Sequence, residues 1–132
     1  MKTIRVTIER GTDGTFWCHT EDDIMGGALT SCGDTVETAK EDLNVCYEEA
    51  KLDAEEEGKK FPEVRFVYKY DLQSFFNYFS FFNVTEIAKR AGINPSLMRQ
   101  YTNGIKCAGE KTYSRLSTCM DEIKSELLAA SF

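Results

Sequence analysis

The apolar residues of this chain repeat with two different periods, and the change between them constrains the fold more than any other feature. Residues 3–9 alternate strictly, with Ile4, Val6 and Ile8 to one side and Arg5, Thr7 and Glu9 to the other. That is the pattern of a half-buried strand. Residues 10–14 hold two glycines in a turn, and residues 15–20 read as a second strand, so the two form a hairpin. A polar loop over residues 21–27 leads to a short third strand over residues 28–32. Asp34, with Glu37 three residues on, has capping-box spacing and opens a helix. Its apolar stripe is Val36, Ala39, Leu43, Cys46, Tyr47, Ala50 and Ala54. Glu55, Glu56 and Glu57 oppose the macrodipole at its far end, where fraying is expected. After Phe61-Pro62, residues 64–70 form a fourth strand. Residues 1–70 are therefore expected to be a β-β-β-α-β module, a three- or four-stranded sheet with one helix packed on it.

From Asp71 the spacing becomes helical. Residues 71–82 carry Phe75, Phe76, Tyr78, Phe79, Phe81 and Phe82, a density expected of the core of a second module, with a share in a subunit interface. Helices follow over residues 84–91, 95–103 and 110–129, the last with an inward stripe of Tyr113, Leu116, Met120, Ile123 and Leu127. The fold class expected is α+β, with an all-helical module over residues 71–132 behind the first.

Charge divides along the same line. Residues 1–71 hold nine Lys/Arg against seventeen Asp/Glu, net −8, while residues 72–132 hold seven against five, net +2. Two modules with different partners are expected. The five cysteines are odd in number and widely spaced, with no C-x-x-C, which argues against a disulfide framework and for small core residues. A single histidine, His19, beside Cys18 does not make up a zinc ligand set, so neither metal nor cofactor is expected. The strands offer Glu9 and few other carboxylates, short of what metal-dependent nuclease chemistry requires, and Cys18 and His19 point to opposite faces. No enzymatic activity is expected. With no export signal and no apolar run of spanning length, the chain is expected to be cytoplasmic and off the membrane.

The segment with recognisable chemistry is residues 84–106. Ala88 lets a neighbouring helix cross closely, Gly92 suits a sharp turn, Asn94 is a good N-cap, Pro95 a good first helical residue and Gly104 a natural stop. Leu97, Met98, Tyr101 and then Ile105 are expected to pack inward. Ser96, Arg99, Gln100 and Asn103 share the outer face, free of carboxylates, and Lys106 follows within reach of a phosphate. Arginine matches guanine's edge and glutamine adenine's, so the partner expected is double-stranded DNA. Repressors of this kind read two half-sites, so a homodimer or tetramer is expected. Two other readings stay open: a stand-alone regulator, or a protein-binding adaptor whose helical half only dimerises.

On these residues the chain resembles a known family. The second half is similar to phage-repressor-like helix-turn-helix domains. Gly27-Ala-Leu-Thr-Ser-Cys-Gly33-Asp34-Thr35-Val-Glu37-Thr-Ala39 resembles the HicB antitoxin fold, a unit similar to a fragment of ribonuclease H. The order of modules matches too, although the loop before the third strand lacks the proline often found there. The resemblance implies an antitoxin of a type II toxin–antitoxin system. Such a protein neutralises a small, basic, mRNA-cleaving HicA-type toxin and represses its own operon by operator binding. The candidate toxin contacts are Glu21, Asp22, Asp23, Ile24 and Met25.

Overall fold

The computed structural model describes residues 1–132. The elements run β1 (Lys2–Arg10), β2 (Phe16–Thr20), β3 (Thr30–Gly33), α1 (Val36–Glu56), β4 (Val64–Tyr70), α2 (Leu72–Tyr78), α3 (Val84–Ala91), α4 (Pro95–Thr102) and α5 (Glu110–Ala129). The class is α+β, with one four-stranded mixed sheet and five helices. The chain divides into two compact units, Met1–Ser74 and Phe75–Phe132, and the division falls inside α2 rather than at residue 70.

In the first unit the strand order is β3-β2-β1-β4. β1 is antiparallel to β2, with Ile8 opposite Cys18, and parallel to β4, with Ile4 opposite Phe66. A parallel pair needs a crossover, which the intervening β2, β3 and α1 supply. Alternation along β1 buries Ile4, Val6 and Ile8 on the face where Ala39, Leu43 and Tyr47 of α1 are also buried. β3 starts two residues later than the sequence suggests. Thr20 explains the delay: its buried hydroxyl accepts from Leu29 N at 2.8 Å, so a side chain stands in for a ladder carbonyl there.

The cap of α1 lies at Thr35, not Asp34. Thr35 Oγ1 accepts from Thr38 N at 3.1 Å and Thr38 Oγ1 accepts from Thr35 N at 3.0 Å, a reciprocal capping box one residue further on. Thr35→Ala is therefore expected to lower stability by about 1 kcal/mol, and Asp34→Ala to stay within about 0.5 kcal/mol of wild type. Urea denaturation of both variants checks this, and equal losses would return the cap to Asp34. The acidic end of α1 is closed rather than open: Lys59 N donates to Ala54 O at 2.8 Å and Gly58 N to Glu55 O at 3.0 Å, the two bonds of a Schellman motif.

In the second unit α2 stops at Tyr78, short of Phe82. Asn83 is committed to the next helix, its side chain accepting from Glu86 N at 3.1 Å, so the chain turns before it, with Phe82 N donating to Phe79 O. The aromatic segment is split between interior and surface. Phe76 is buried, and Phe75, Phe79 and Phe82 are half-buried in mutual ring contact. Tyr78 is exposed and Phe81 is 78% exposed. Along α5, Leu116 and Cys119 are buried, whereas Leu127 of the expected stripe is exposed. The reason is length. α3 and α4 have 8 residues each against 20 in α5, so helices of roughly 12 Å cannot cover one of roughly 30 Å. Of the five free cysteines, Cys18 and Cys119 are core residues and Cys46 is half-buried, but Cys32 and Cys107 are exposed, against expectation.

Candidate nucleic-acid interface

The α3–turn–α4 segment is assembled from local signals that agree. Gly92 adopts φ 74°, in the left-handed region that a side chain disfavours. It lets Ile93 N donate to Ala88 O at 2.8 Å, so the chain reverses within one residue, and Ile93 is buried. Asn94 then accepts from Ser96 N at 2.9 Å and Leu97 N at 3.3 Å, and Pro95 occupies the first turn. Ala88 and Met98 are fully buried. Arg115 of α5 donates to Gly92 O at 3.2 Å, and Arg90 of α3 forms an ion pair with Glu126 of α5. Both turn and helix pair are thereby tied to the long helix behind them.

The outer face of α4 carries Ser96, Arg99 and Asn103, all exposed, with Gln100 half-buried between them. Lys106 is exposed just beyond, its N–H donating to Gln100 O at 3.3 Å. No carboxylate lies on α4. The expectation of an inward Ile105 is corrected: it is 72% exposed. Its N–H closes the helix end on Gln100 O at 2.9 Å, with Gly104 at φ 75°, and that closure directs the chain outward. Arg99 is not loose. Its Nη1 donates to Thr85 Oγ1 of α3 at 3.4 Å and its Nη2 to Ser96 Oγ at 3.2 Å. Thr85 gave no signal in the sequence, because it lies 14 residues from Arg99 and meets it only once the two helices pack.

In the first unit the loop named as a partner site is already partly engaged. Glu21 Oε1 accepts from Thr7 Oγ1 at 2.7 Å, with Arg5 and Lys69 as ionic neighbours. Asp22 accepts from Arg5 Nη2 at 3.2 Å, and that guanidinium holds its carboxyl below the usual carboxylate range. Ile24 is buried in the core and also lines the groove beside this loop. Asp23 and Met25 are exposed. Met25 at φ 54° and Gly26 at φ 83° make the tip of a two-residue turn closed by Ile24 N donating to Gly27 O at 2.7 Å. Beside this turn and the last turns of α1 lies a groove of about 340 Å³, lined among others by Met25, Leu29, Asp53 and Phe61. Its lining mixes apolar Leu29, Ala54 and Phe61 with the charged Asp53, Glu57 and Lys59.

No three His, Cys, Asp or Glu side chains converge as a metal-ion set, and no helix is long and apolar enough to cross a membrane. His19 lies among Glu9, with Nε2–Oε2 at 3.9 Å, Thr30 and the parallel ring of Trp17. No family model, curated protein or solved structure matches the chain.

Proposed function

We propose that this chain is a DNA-binding regulator of the helix-turn-helix kind, acting as a HicB-like antitoxin. The observation that carries the proposal is the outer face of α4, with Ser96, Arg99 and Asn103 exposed, no carboxylate among them, on a helix fixed by the Gly92 turn and the Asn94 cap. Phosphate and base edges both favour such a face. The first unit, in the half of the chain that is net −8, suits a basic protein partner, because complementary charge speeds encounter. Asp23, Met25 and the adjoining groove are its remaining contacts. Leu127, Leu128 and Phe132 are exposed at the end of the chain, and a homodimer or tetramer would cover them. No catalytic role is assigned to any residue.

Arg99→Ala is expected to weaken binding to the DNA upstream of the chain's own gene by about 1–3 kcal/mol and to relax sequence preference. Fluorescence anisotropy with that duplex measures it, and an unchanged affinity would remove Arg99 from the interface. The antitoxin role is tested by co-expressing the chain with the product of the adjacent gene and following mRNA cleavage. Suppressed cleavage is the expected result, and undiminished cleavage contradicts it. A protein-binding adaptor is the second reading, favoured by the exposed Tyr78 and Phe81. It differs in requiring no DNA binding at all.

A further inference from the structure

We infer that Thr85 is a positioning residue for base recognition, presenting the Arg99 guanidinium as a preset fork that reads guanine. The inference rests on the DNA-binding reading of α4 and adds to it a residue on a different helix. A free arginine side chain loses about 2 kcal/mol of rotamer entropy when it is ordered on a ligand. Here two hydroxyls do part of that ordering beforehand. Thr85 Oγ1, in the first turn of α3, accepts from Nη1 at 3.4 Å, and Ser96 Oγ, one turn before Arg99 on α4, accepts from Nη2 at 3.2 Å. The two acceptors sit on different helices, so the guanidinium is held by the helix pair as a rigid body and not by α4 alone.

The pairing leaves chemistry to spare. A guanidinium has five N–H donors, of which these two contacts use two, and guanine offers two adjacent acceptors, O6 and N7, that suit a pair of parallel donors. Each hydroxyl takes part through its oxygen, as the acceptor of one guanidinium N–H. Both anchors are neutral, so they orient the cation without cancelling its charge; a carboxylate in either place would compete with DNA for it. Arg99→Lys keeps the charge but loses the planar fork, so it separates geometry from electrostatics.

The test uses the full chain and duplexes selected from a randomised pool. Selection is repeated with Thr85→Val, Thr85→Ser, Arg99→Lys and Arg99→Ala, each checked for folding by circular dichroism. The wild-type consensus is expected to hold a guanine whose preference disappears in both Arg99 variants. In Thr85→Val that preference should fall about fivefold, the worth of one modest hydrogen bond. Thr85→Ser should restore it, and the salt dependence of Thr85→Val should match wild type, because no phosphate contact changes. A folded Thr85→Val with undiminished guanine preference, in a background where Arg99→Ala abolishes it, overturns the role of Thr85 while leaving the DNA reading intact. Failure of the wild type to select any duplex overturns both.

Discussion

Replacing Gly33 by alanine is expected to destabilise the first unit by about 3 kcal/mol, more than any surface change in the molecule. A Cβ at this position would stand 2.4 Å from Thr38 Oγ1, 2.6 Å from Ala39 N and 2.8 Å from Thr38 C. Two of these atoms are backbone, and the third is half of the capping box that starts α1. None can retreat without opening the exchange between Thr35 and Thr38 or the bond from Ala39 N to Thr35 O. An overpacking cost of about 1–3 kcal/mol therefore adds to a lost cap of about 1 kcal/mol. At roughly 4–8 °C per kcal/mol for a unit of this size, the melting midpoint should fall by about 12–24 °C. A midpoint within about 4 °C of wild type would mean that the β3–α1 junction is looser than its contacts indicate.

Met98→Ala is expected to cost the second unit about 2–5 kcal/mol and, under the proposed DNA-binding role, to weaken DNA binding with it. Met98 is fully buried on α4, and truncation removes its transfer energy and leaves a cavity. The chain's own spectroscopy separates the two units. Trp17, the single tryptophan, lies on β2 in the first unit, whereas α3, α4 and α5 all lie in the second. In guanidinium the share of the helical dichroism that belongs to α3, α4 and α5 should be lost ahead of the tryptophan transition in Met98→Ala, while the share of α1, which lies with Trp17 in the first unit, is lost together with it. Leu43→Ala, which empties a fully buried site on α1, should shift the tryptophan transition instead. A helical transition unmoved by Met98→Ala contradicts the packing of α4.

What the sequence disclosed followed from local chemistry. β4 and α5 were legible to the residue, because Val64–Tyr70 is dense in aromatic and β-branched residues and Glu110–Ala129 opens and closes at clear breaks in spacing. The Gly92 turn and the Asn94 cap were legible for the same reason. Position by position the local signals also erred. Asp34 and Thr35 are both good caps, and only the hydroxyl of Thr38 decides between them. Ile105 reads as apolar and inward until the closure at Gly104 turns it out. Contacts between distant residues left no trace at all. The parallel pairing of β1 with β4 joins segments some sixty residues apart, Arg5 reaches Asp22 across 17 positions, and Thr85 reaches Arg99 across 14. The candidate face on α4 could thus be listed from the sequence, but the groups that orient it and those that occupy the Glu21–Asp22 carboxylates could not.

Titrating the full chain onto the duplex upstream of its own gene, and onto a scrambled duplex, across a salt series decides whether the helical unit reads DNA. For the proposed DNA-binding regulator the expected result is a clear preference for the native duplex and a steep linear fall of log affinity with log salt, as several phosphate contacts release counterions. Equal affinity for both duplexes, or no binding at low salt, would contradict it and leave the helical unit a protein-binding module.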